Sequence, residues 1–356
     1  MARVIVGLSG GVDSAVAASL LKAAGHDVVG VTLRTWEAAE GEDSRCCDID
    51  AARAAARKLG IPFYALNCVA DFREKVIRPF IRDYLRGLTP NPCVVCNRQI
   101  KWERLLYIAA VMRADLVATG HYASVAKLPN GRWAVQKALH AEKDQSYMLY
   151  RLTQEQLAST LMPLGRLSKA EVRHMAEEAG LSCASRPDSQ EVCFVTEGHY
   201  ADYIKENADT APPGEGLFLD ESGRVLGRHR GVQYYTVGQR RGLGLALGYP
   251  AYVKSICADR NRIVIGKEAS LYRDSILCRD VHYMGLPEMR PGERTRCTVK
   301  VRCHHREQGA WIEASAPDRI TVAFDEPVRA AAPGQSAVFY SEEGFVLGGG
   351  IIACDE

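Results

Sequence analysis

The segment Val4-Ile5-Val6-Gly7-Leu8-Ser9-Gly10-Gly11-Val12-Asp13-Ser14 constrains the fold more than any other part of the chain. The β-branched run Val4 to Val6 predicts a buried strand. A turn of Ser9, Gly10 and Gly11 follows, then a helix with Val12, Val16 and Leu20 at four-residue spacing, stopped near Gly25. Strand, glycine turn and helix start together make an anion site. The first N–H groups of the helix point at the ligand, and the helix dipole favours negative charge. Gly10 and Gly11 let the main chain approach where a Cβ would clash. Ser9 and Ser14 add hydroxyl donors. Asp13 beside a phosphate calls for a divalent cation, Mg2+, between the two.

The turn lacks the Gly-Lys-Ser/Thr end of the common phosphate loop, and it is not a Gly-x-Gly-x-x-Gly turn. Ser-Gly-Gly-x-Asp-Ser resembles the pyrophosphate loop of the ATP-pyrophosphatase (PP-loop, N-type) superfamily. Those enzymes split ATP between its α and β phosphates and leave AMP on the substrate. A glycine-rich turn with no ligand is the simpler alternative.

A chain of 356 residues holds two or three domains. No apolar run reaches the ~18 residues of a membrane span. Met1-Ala2-Arg3 leads straight into a strand, so no signal peptide is expected and the expected location is cytoplasmic. A net charge of +2 does not advertise a nucleic-acid binder, so any RNA binding must rest on local basic patches. The 12 cysteines are then expected to be reduced, for chemistry, metal binding or simple burial. Cys68, Cys257, Cys278, Cys297 and Cys354 read as small buried apolar residues.

Strand and helix alternate through the first half. Further strands are expected at Val28 to Leu33, Ile61 to Asn67 and Asp115 to Gly120. Helices are expected from Asp48 or Asp50 to Gly60, from about Asp71 with a kink at Pro79, and around Ile100 to Met112. This order predicts an α/β fold with a doubly wound parallel sheet, ligands lying off the carboxyl ends of its strands. Ser168-Lys169-Ala170-Glu171 is a capping box. Val192 to Val195 reads as a strand after a polar loop, and Tyr200 to Asn207 as a last helical segment. Thr210 to Gly216 reads as a linker. Beyond it, short Val-, Tyr- and Thr-rich segments broken by Gly or Asp predict two small mainly-β domains, the last a barrel. The expected domains are 1–207, 208–286 and 287–356. Gly242 to Gly248 reads as a loop.

Two places offer thiol chemistry. Thr89-Pro90-Asn91-Pro92-Cys93-Val94-Val95-Cys96-Asn97 holds a C-x-x-C pair in a proline-stiffened loop. Cys193 follows the polar loop. A thiol beside phosphates and helix N-termini can gain thiolate character, then attack, carry sulfur or bind metal. A structural zinc half-site at Cys93 and Cys96, and a buried strand cysteine at Cys193, are the plain alternatives. Arg224, Arg228, His229, Arg230, Arg240 and Arg241 around Tyr234 and Tyr235 form either a phosphate-binding stripe or a solvated face. Cys46-Cys47, after the acidic stretch Glu37 to Asp43, stays unassigned.

Gly7 to Ser14, Thr89 to Pro92, Cys96-Asn97, Ala118-Thr119-Gly120-His121-Tyr122, Lys143-Asp144-Gln145-Ser146-Tyr147, Val192-Cys193-Phe194, Thr236 to Arg240 and Pro333 to Val338 occur in one order. As a set, running from Arg3 to about Ile352, they resemble the bacterial tRNA-specific 2-thiouridylase (MnmA) family. The resemblance implies an adenine nucleotide α-hydrolase-like catalytic domain and a tRNA-uridine 2-sulfurtransferase. ATP would adenylate the C2 oxygen of the wobble uridine, releasing pyrophosphate, and sulfur would then replace AMP. It implies a persulfide on Cys193 and Cys96 as second catalytic cysteine (nucleophile), the two closing a transient disulfide. Asp13, from its place in the glycine turn, is expected to be needed for adenylation. It puts ATP on Gly7, Leu8, Ser9, Gly10, Gly11, Val12, Asp13, Ser14, Leu33 and Gly120. It puts tRNA on Asn91, Pro92, Cys93, His121, Lys143, Asp144, Gln145, Arg302, Cys303 and Gln335. A sulfur-donor protein, either a cysteine desulfurase or a sulfur carrier, is the implied partner, with no DNA and no membrane.

The best-known members carry Asp where this chain has Cys93. Cys93, Cys96 and Cys193 could therefore offer three ligands to a [4Fe-4S] cluster carrying sulfide, an alternative to the persulfide. A PP-loop enzyme with an amine nucleophile and an ATP-sensing RNA-binding protein are the rivals from other classes.

Overall fold

The structure is a computed structural model that describes residues 1–35, 48–186, 192–195 and 200–354. Cys46, Cys47, the Glu37 to Asp43 stretch and most of the polar loop before Cys193 lie outside the described residues. The chain divides into two compact units: Met1–Val76 with Cys93–Thr196 and Gly344–Val346, and Ile77–Pro92 with Glu197–Glu343 and Leu347–Glu356.

The first unit is built on a parallel sheet containing β1 (Arg3–Gly7), β2 (Asp27–Arg34), β3 (Phe63–Asn67) and β4 (Leu116–Ala118). Their order is β3-β2-β1-β4, with the short strand Thr160–Leu161 beyond β4. Val4, Ile5 and Val6 are fully buried because both faces of β1 are covered. Val4 and Val6 join a core with α1 (Val12–Ala23), α2 (Ile49–Leu59) and the helix Lys169–Glu178. Ile5 points the other way, toward the face on which the helix Glu103–Val111 packs against β1. The expected doubly wound α/β unit is thus formed. Strand order reverses between β1 and β4, which opens a crevice at their carboxyl ends.

Local signals set the ends of these elements. Asp48, rather than Asp50, caps α2 by accepting from the Ala51 N–H at 2.8 Å. Gly60 ends α2 at φ 60°. The Ser168/Glu171 capping box forms in full. Before Pro79 the chain does not simply kink. It winds as a π-helix over Arg73–Ile77, and Pro79 sits in the first turn of the helix Arg78–Leu85, where its missing N–H costs little. A hairpin, Ala123–Lys127 with Trp133–Lys137, follows β4, an element that composition does not announce.

The second unit is mainly β. A four-stranded sheet in the order Tyr252–Cys257, Arg262–Gly266, Gly216–Leu219, Val225–His229 encloses Phe218, Val232, Tyr235, Val253 and Ile263. Gly242 to Gly248 is a loop. Six strands then close the expected barrel, from Tyr272–Tyr283 to Val346–Ile352. In Gln308–Ala316, Ala310, Ile312 and Ala314 point inward while Trp311 and Glu313 face out, the period-2 pattern of a strand with one wet face.

Candidate functional site: a nucleotide crevice and two cysteine segments

Gly11 opens α1 without a side-chain cap, leaving its first N–H groups for a ligand. Gly10 turns the loop at φ 84°, and a Cβ there would lie 2.6 Å from the Asp48 carbonyl oxygen. Gly120, just past β4, presses on the start of α1: its Cβ would meet Asp13 C and Ser14 N at 2.6 Å. Only glycine at both positions lets the loop sit this close to the start of α2 and the segment after β4 sit this close to α1.

A pocket of about 190 Å³ results, lined by Gly7, Leu8, Ser9, Asp13, Ser14, Val31, Leu33, Thr35, Lys101, Leu105, Thr119, Gly120, His121 and Gln145. Leu8, Val31, Leu33 and Leu105 give apolar walls suited to a planar ring, and the start of α1 gives the anion end. The structure brings seven of the ten residues expected at the nucleotide into this lining. Gly10, Gly11 and Val12 do not line it, and Val12 is buried in the core.

Both serines also bond within the loop. Ser14 Oγ donates to Gly11 O at 3.1 Å and accepts from Ser9 N at 3.1 Å; Ser9 Oγ accepts from Gly11 N at 3.3 Å. These bonds brace the loop from within. Asp13 is also committed: both carboxylate oxygens accept from Lys169 Nζ at 2.8 Å, and Oδ1 accepts from Tyr122 Oη at 2.7 Å. The sequence calls for a divalent ion beside Asp13; in the fold a lysine supplies the positive charge. In the sequence Lys169 stands out only as part of a capping box. It lies 156 residues from Asp13, and no local pattern could join them.

Asp48 sits against the loop, its N–H donating to Ser9 O at 3.0 Å. Burial opposes its ionisation, but the Ala51 N–H and the Arg186 guanidinium outweigh this and hold its carboxyl below the usual value. His121 bonds Thr119 Oγ1 through Nδ1 at 2.7 Å and packs on Trp102. Burial, and then the Lys101 charge, push its pKa well below 6.5, so the ring is neutral at pH 7. Gln145 accepts from Tyr122 N at 3.0 Å. Asp144 accepts from Ala138 N, Ser146 N and Ser146 Oγ, so it shapes the loop beside Gln145 and Lys143.

Cys93 is exposed and Cys96 is buried, both on the helix Pro92–Cys96 that Asn91 precedes. The chain continues as a π-helix, Asn97–Trp102, and then as Glu103–Val111. Lys101 and Leu105 of the pocket wall therefore share one helical rod with Cys96. Asn97 is buried and donates to Met148 O at 3.0 Å, while its Oδ1 has no partner among the described residues. Cys193 is half-buried on a turn, not on the expected strand; Val195 N donates to Val192 O at 3.0 Å. Its neighbour Phe194 packs edge-on against Phe72. None of the three cysteines lines the nucleotide pocket. Among the described residues no three His, Cys, Asp or Glu side chains gather as a metal site, so Cys93, Cys96 and Cys193 do not fit a cluster as they stand.

In the second unit, Arg302 donates to Val237 O at 2.7 Å and Gln335 Nε2 to Thr89 O at 2.8 Å, while Cys303 is half-buried. Cys68, Cys278 and Cys297 are buried as expected, but Cys257 and Cys354 are exposed. Cys257 is the last residue of its strand and Cys354 follows the last barrel strand, where burial on alternate sides no longer applies.

The family model described as the tRNA methyl transferase HUP domain matches residues 2–197; the PRC-barrel and aminomethyltransferase beta-barrel models match 201–267 and 273–352. The chain is similar to the tRNA-specific 2-thiouridylase MnmA of Lachnoclostridium phytofermentans, at 44% identity over 99% of both chains. It is similar to that of Acetivibrio thermocellus at 44%, over 98% of this chain and 99% of the relative, and to that of Clostridioides difficile at 43%, over 98% of each. Among solved structures, the U34-tRNA thiolase NcsA of Methanococcus maripaludis with its [4Fe-4S] cluster aligns at 20% identity over 58% of this chain and 65% of that one, TM-score 0.36. Matched along nearly its whole length, the chain belongs to the bacterial tRNA-specific 2-thiouridylase (MnmA) family.

Proposed function

We propose that this protein converts the wobble uridine of tRNA to 2-thiouridine, using ATP. The observation that carries the reading is the crevice between β1 and β4, with a PP-loop at one end and a wall supplied by the rod that bears Cys96. ATP lies with its ring against Leu8, Leu33 and Leu105 and its phosphates at the start of α1. The uridine C2 oxygen attacks the α phosphorus, pyrophosphate leaves, and the base becomes an AMP ester. Lys169, held on Asp13, neutralises charge developing on the phosphates. Mg2+ accompanies ATP as counterion; Asp13, closed by Lys169 and Tyr122, is not arranged as its ligand.

The terminal sulfur of a Cys193 persulfide then attacks C2 and AMP departs, leaving Cys193 joined to the base through two sulfurs. The Cys96 thiolate attacks Cys193 Sγ. A Cys96–Cys193 disulfide forms and the outer sulfur stays on C2. A dithiol reductant opens the disulfide, and a sulfur-donor protein reloads Cys193. Splitting one hard substitution into activation and transfer is the gain of covalent catalysis. Asn91, Pro92, Cys93, His121, Lys143, Gln145, Arg302, Cys303 and Gln335 are proposed to meet tRNA. The base must leave its stack to reach ATP, at a cost of a few kcal/mol.

The test follows pyrophosphate release and thiolated nucleosides together. With unmodified tRNA, Cys96→Ser and Cys193→Ser release pyrophosphate yet yield no 2-thiouridine by mass spectrometry. Full thiolation by either variant would remove the cysteine relay and favour an amine-nucleophile enzyme of the same superfamily. Absence of tRNA-dependent pyrophosphate release in the wild type would remove the enzyme reading altogether.

A further inference from the structure

Arg279 and Arg319 stand directly opposite each other on two antiparallel barrel strands, Tyr272–Tyr283 and Arg319–Arg329. Like charges so placed destabilise a sheet. Both residues are exposed, and no ion pair or side-chain hydrogen bond joins either guanidinium to another described residue. Arg86, equally without a side-chain partner among the described residues, converges on the same place. The three line a cleft of about 350 Å³ in which, among the described residues, Asp259 is the one acidic wall residue and Leu277 is part of the apolar wall. Asp280 and Asp318, next in sequence to the facing arginines, do not line it.

The walls are held from both sides. Arg86 ends the helix Arg78–Leu85, its N–H donating to Arg82 O and Asp83 O. Three residues on, Thr89 N donates to Pro333 O at 2.8 Å and Thr89 O accepts from Gln335. Across the cleft, Ala353 N donates to Leu277 O at 2.9 Å. Three cations against one carboxylate among the described residues, on pinned backbone, is an arrangement that favours an entering anion. A carboxylate is served by one guanidinium fork; a tetrahedral phosphate offers oxygens to several.

We propose that this cleft binds a phosphate group, with the tRNA backbone as the favoured source and a free nucleotide or phosphate ion as the other. The choice of tRNA rests on the function proposed above; the phosphate chemistry does not.

Unmodified tRNA is titrated against the whole protein and against Arg279→Gln/Arg319→Gln over roughly 50 to 200 mM salt. The double variant is expected to bind about tenfold more weakly, with a log–log salt slope shallower by about 1 for each phosphate no longer neutralised. Arg319→Gln alone is expected to melt at a higher temperature without RNA, because the facing repulsion is gone. A purely structural arginine pair would not combine firmer folding with weaker binding. An unchanged tRNA slope, together with a phosphate-dependent rise in melting temperature that the double variant lacks, assigns the cleft to free phosphate. The proposal is overturned if the double variant matches the wild type in both measurements, or if Arg290→Gln, an exposed arginine elsewhere on this unit, weakens tRNA equally. If the wild type binds no tRNA, the proposed function fails, while the inorganic phosphate melts still decide the cleft.

Discussion

Replacing Lys169 by Met removes the cation that meets both Asp13 oxygens at 2.8 Å and keeps most of the aliphatic stem. The lysine side chain is only 14% exposed and that of Asp13 32%, so neither charge is well served by water. A hydrogen bond to a charged group contributes about 1.5–3 kcal/mol. On the proposed role of Lys169 at the phosphates, losing one such bond lowers kcat/KM for ATP by about 10- to 150-fold. The variant also leaves Asp13 with the Tyr122 hydroxyl alone, a cost to folding of about 1–3 kcal/mol. Lys169→Met/Asp13→Asn removes the orphaned charge. It should regain most of the lost stability and none of the lost activity, and that split separates a working lysine from a structural one. Pyrophosphate release is measured over a range of ATP at saturating tRNA, alongside thermal unfolding. If Lys169→Met stays within about twofold of wild type in kcat/KM, the lysine does not act on the phosphates. If the stability losses of the two single variants simply add, the ion pair does not hold the loop.

Two further outcomes follow from groups whose ionisation the fold shifts. His121 has a pKa well below 6.5 in the fold, set first by burial and then by Lys101. The unfolded chain therefore binds a proton that the folded one refuses, and stability falls as pH drops below about 6.5, on the order of 1 kcal/mol by pH 5.5. His121→Asn should show a shallower loss over this window in denaturant titrations; parallel curves would mean the ring protonates freely in the fold. For the thiols, burial pushes Cys278 and Cys297 up to about 12. Iodoacetamide at about pH 8 should spare both in the native protein while it modifies the exposed Cys93, Cys257 and Cys354, as read by peptide mass spectrometry. Rapid labelling of Cys278 or Cys297 would show that the barrel opens.

What the sequence discloses is what short-range chemistry writes into it. The strand, glycine turn and helix start at Val4 to Ser14, the Asp48 cap and the Ser168/Glu171 box all form as expected, because each depends on residues a few positions apart. The loop's partners are not legible in this way. Lys169 and Tyr122 reach Asp13 from distant positions, Lys101 enters the pocket from a helix marked in the sequence by its apolar face, and Arg186 reaches Asp48 across 138 residues. Such pairings leave no period. Val192 to Val195 reads as a strand yet folds as a turn, because four residues of mostly apolar character do not distinguish the two. Cys257 and Cys354 read as buried yet are exposed, because composition says nothing of where a strand ends.

The π-helical stretch Asn97–Trp102 sets the winding between Cys96 and the pocket-wall residue Leu105. A π turn holds one residue more than an α turn, so it resets the angular phase of everything beyond it. Shortened by one residue, the ladder would close as an ordinary α-helix, and Cys96 would rotate by about 100° relative to Lys101 and Leu105. Every side chain would still be present, yet Cys96 would face a different direction relative to Lys101 and Leu105; the register of this rod fixes that angle.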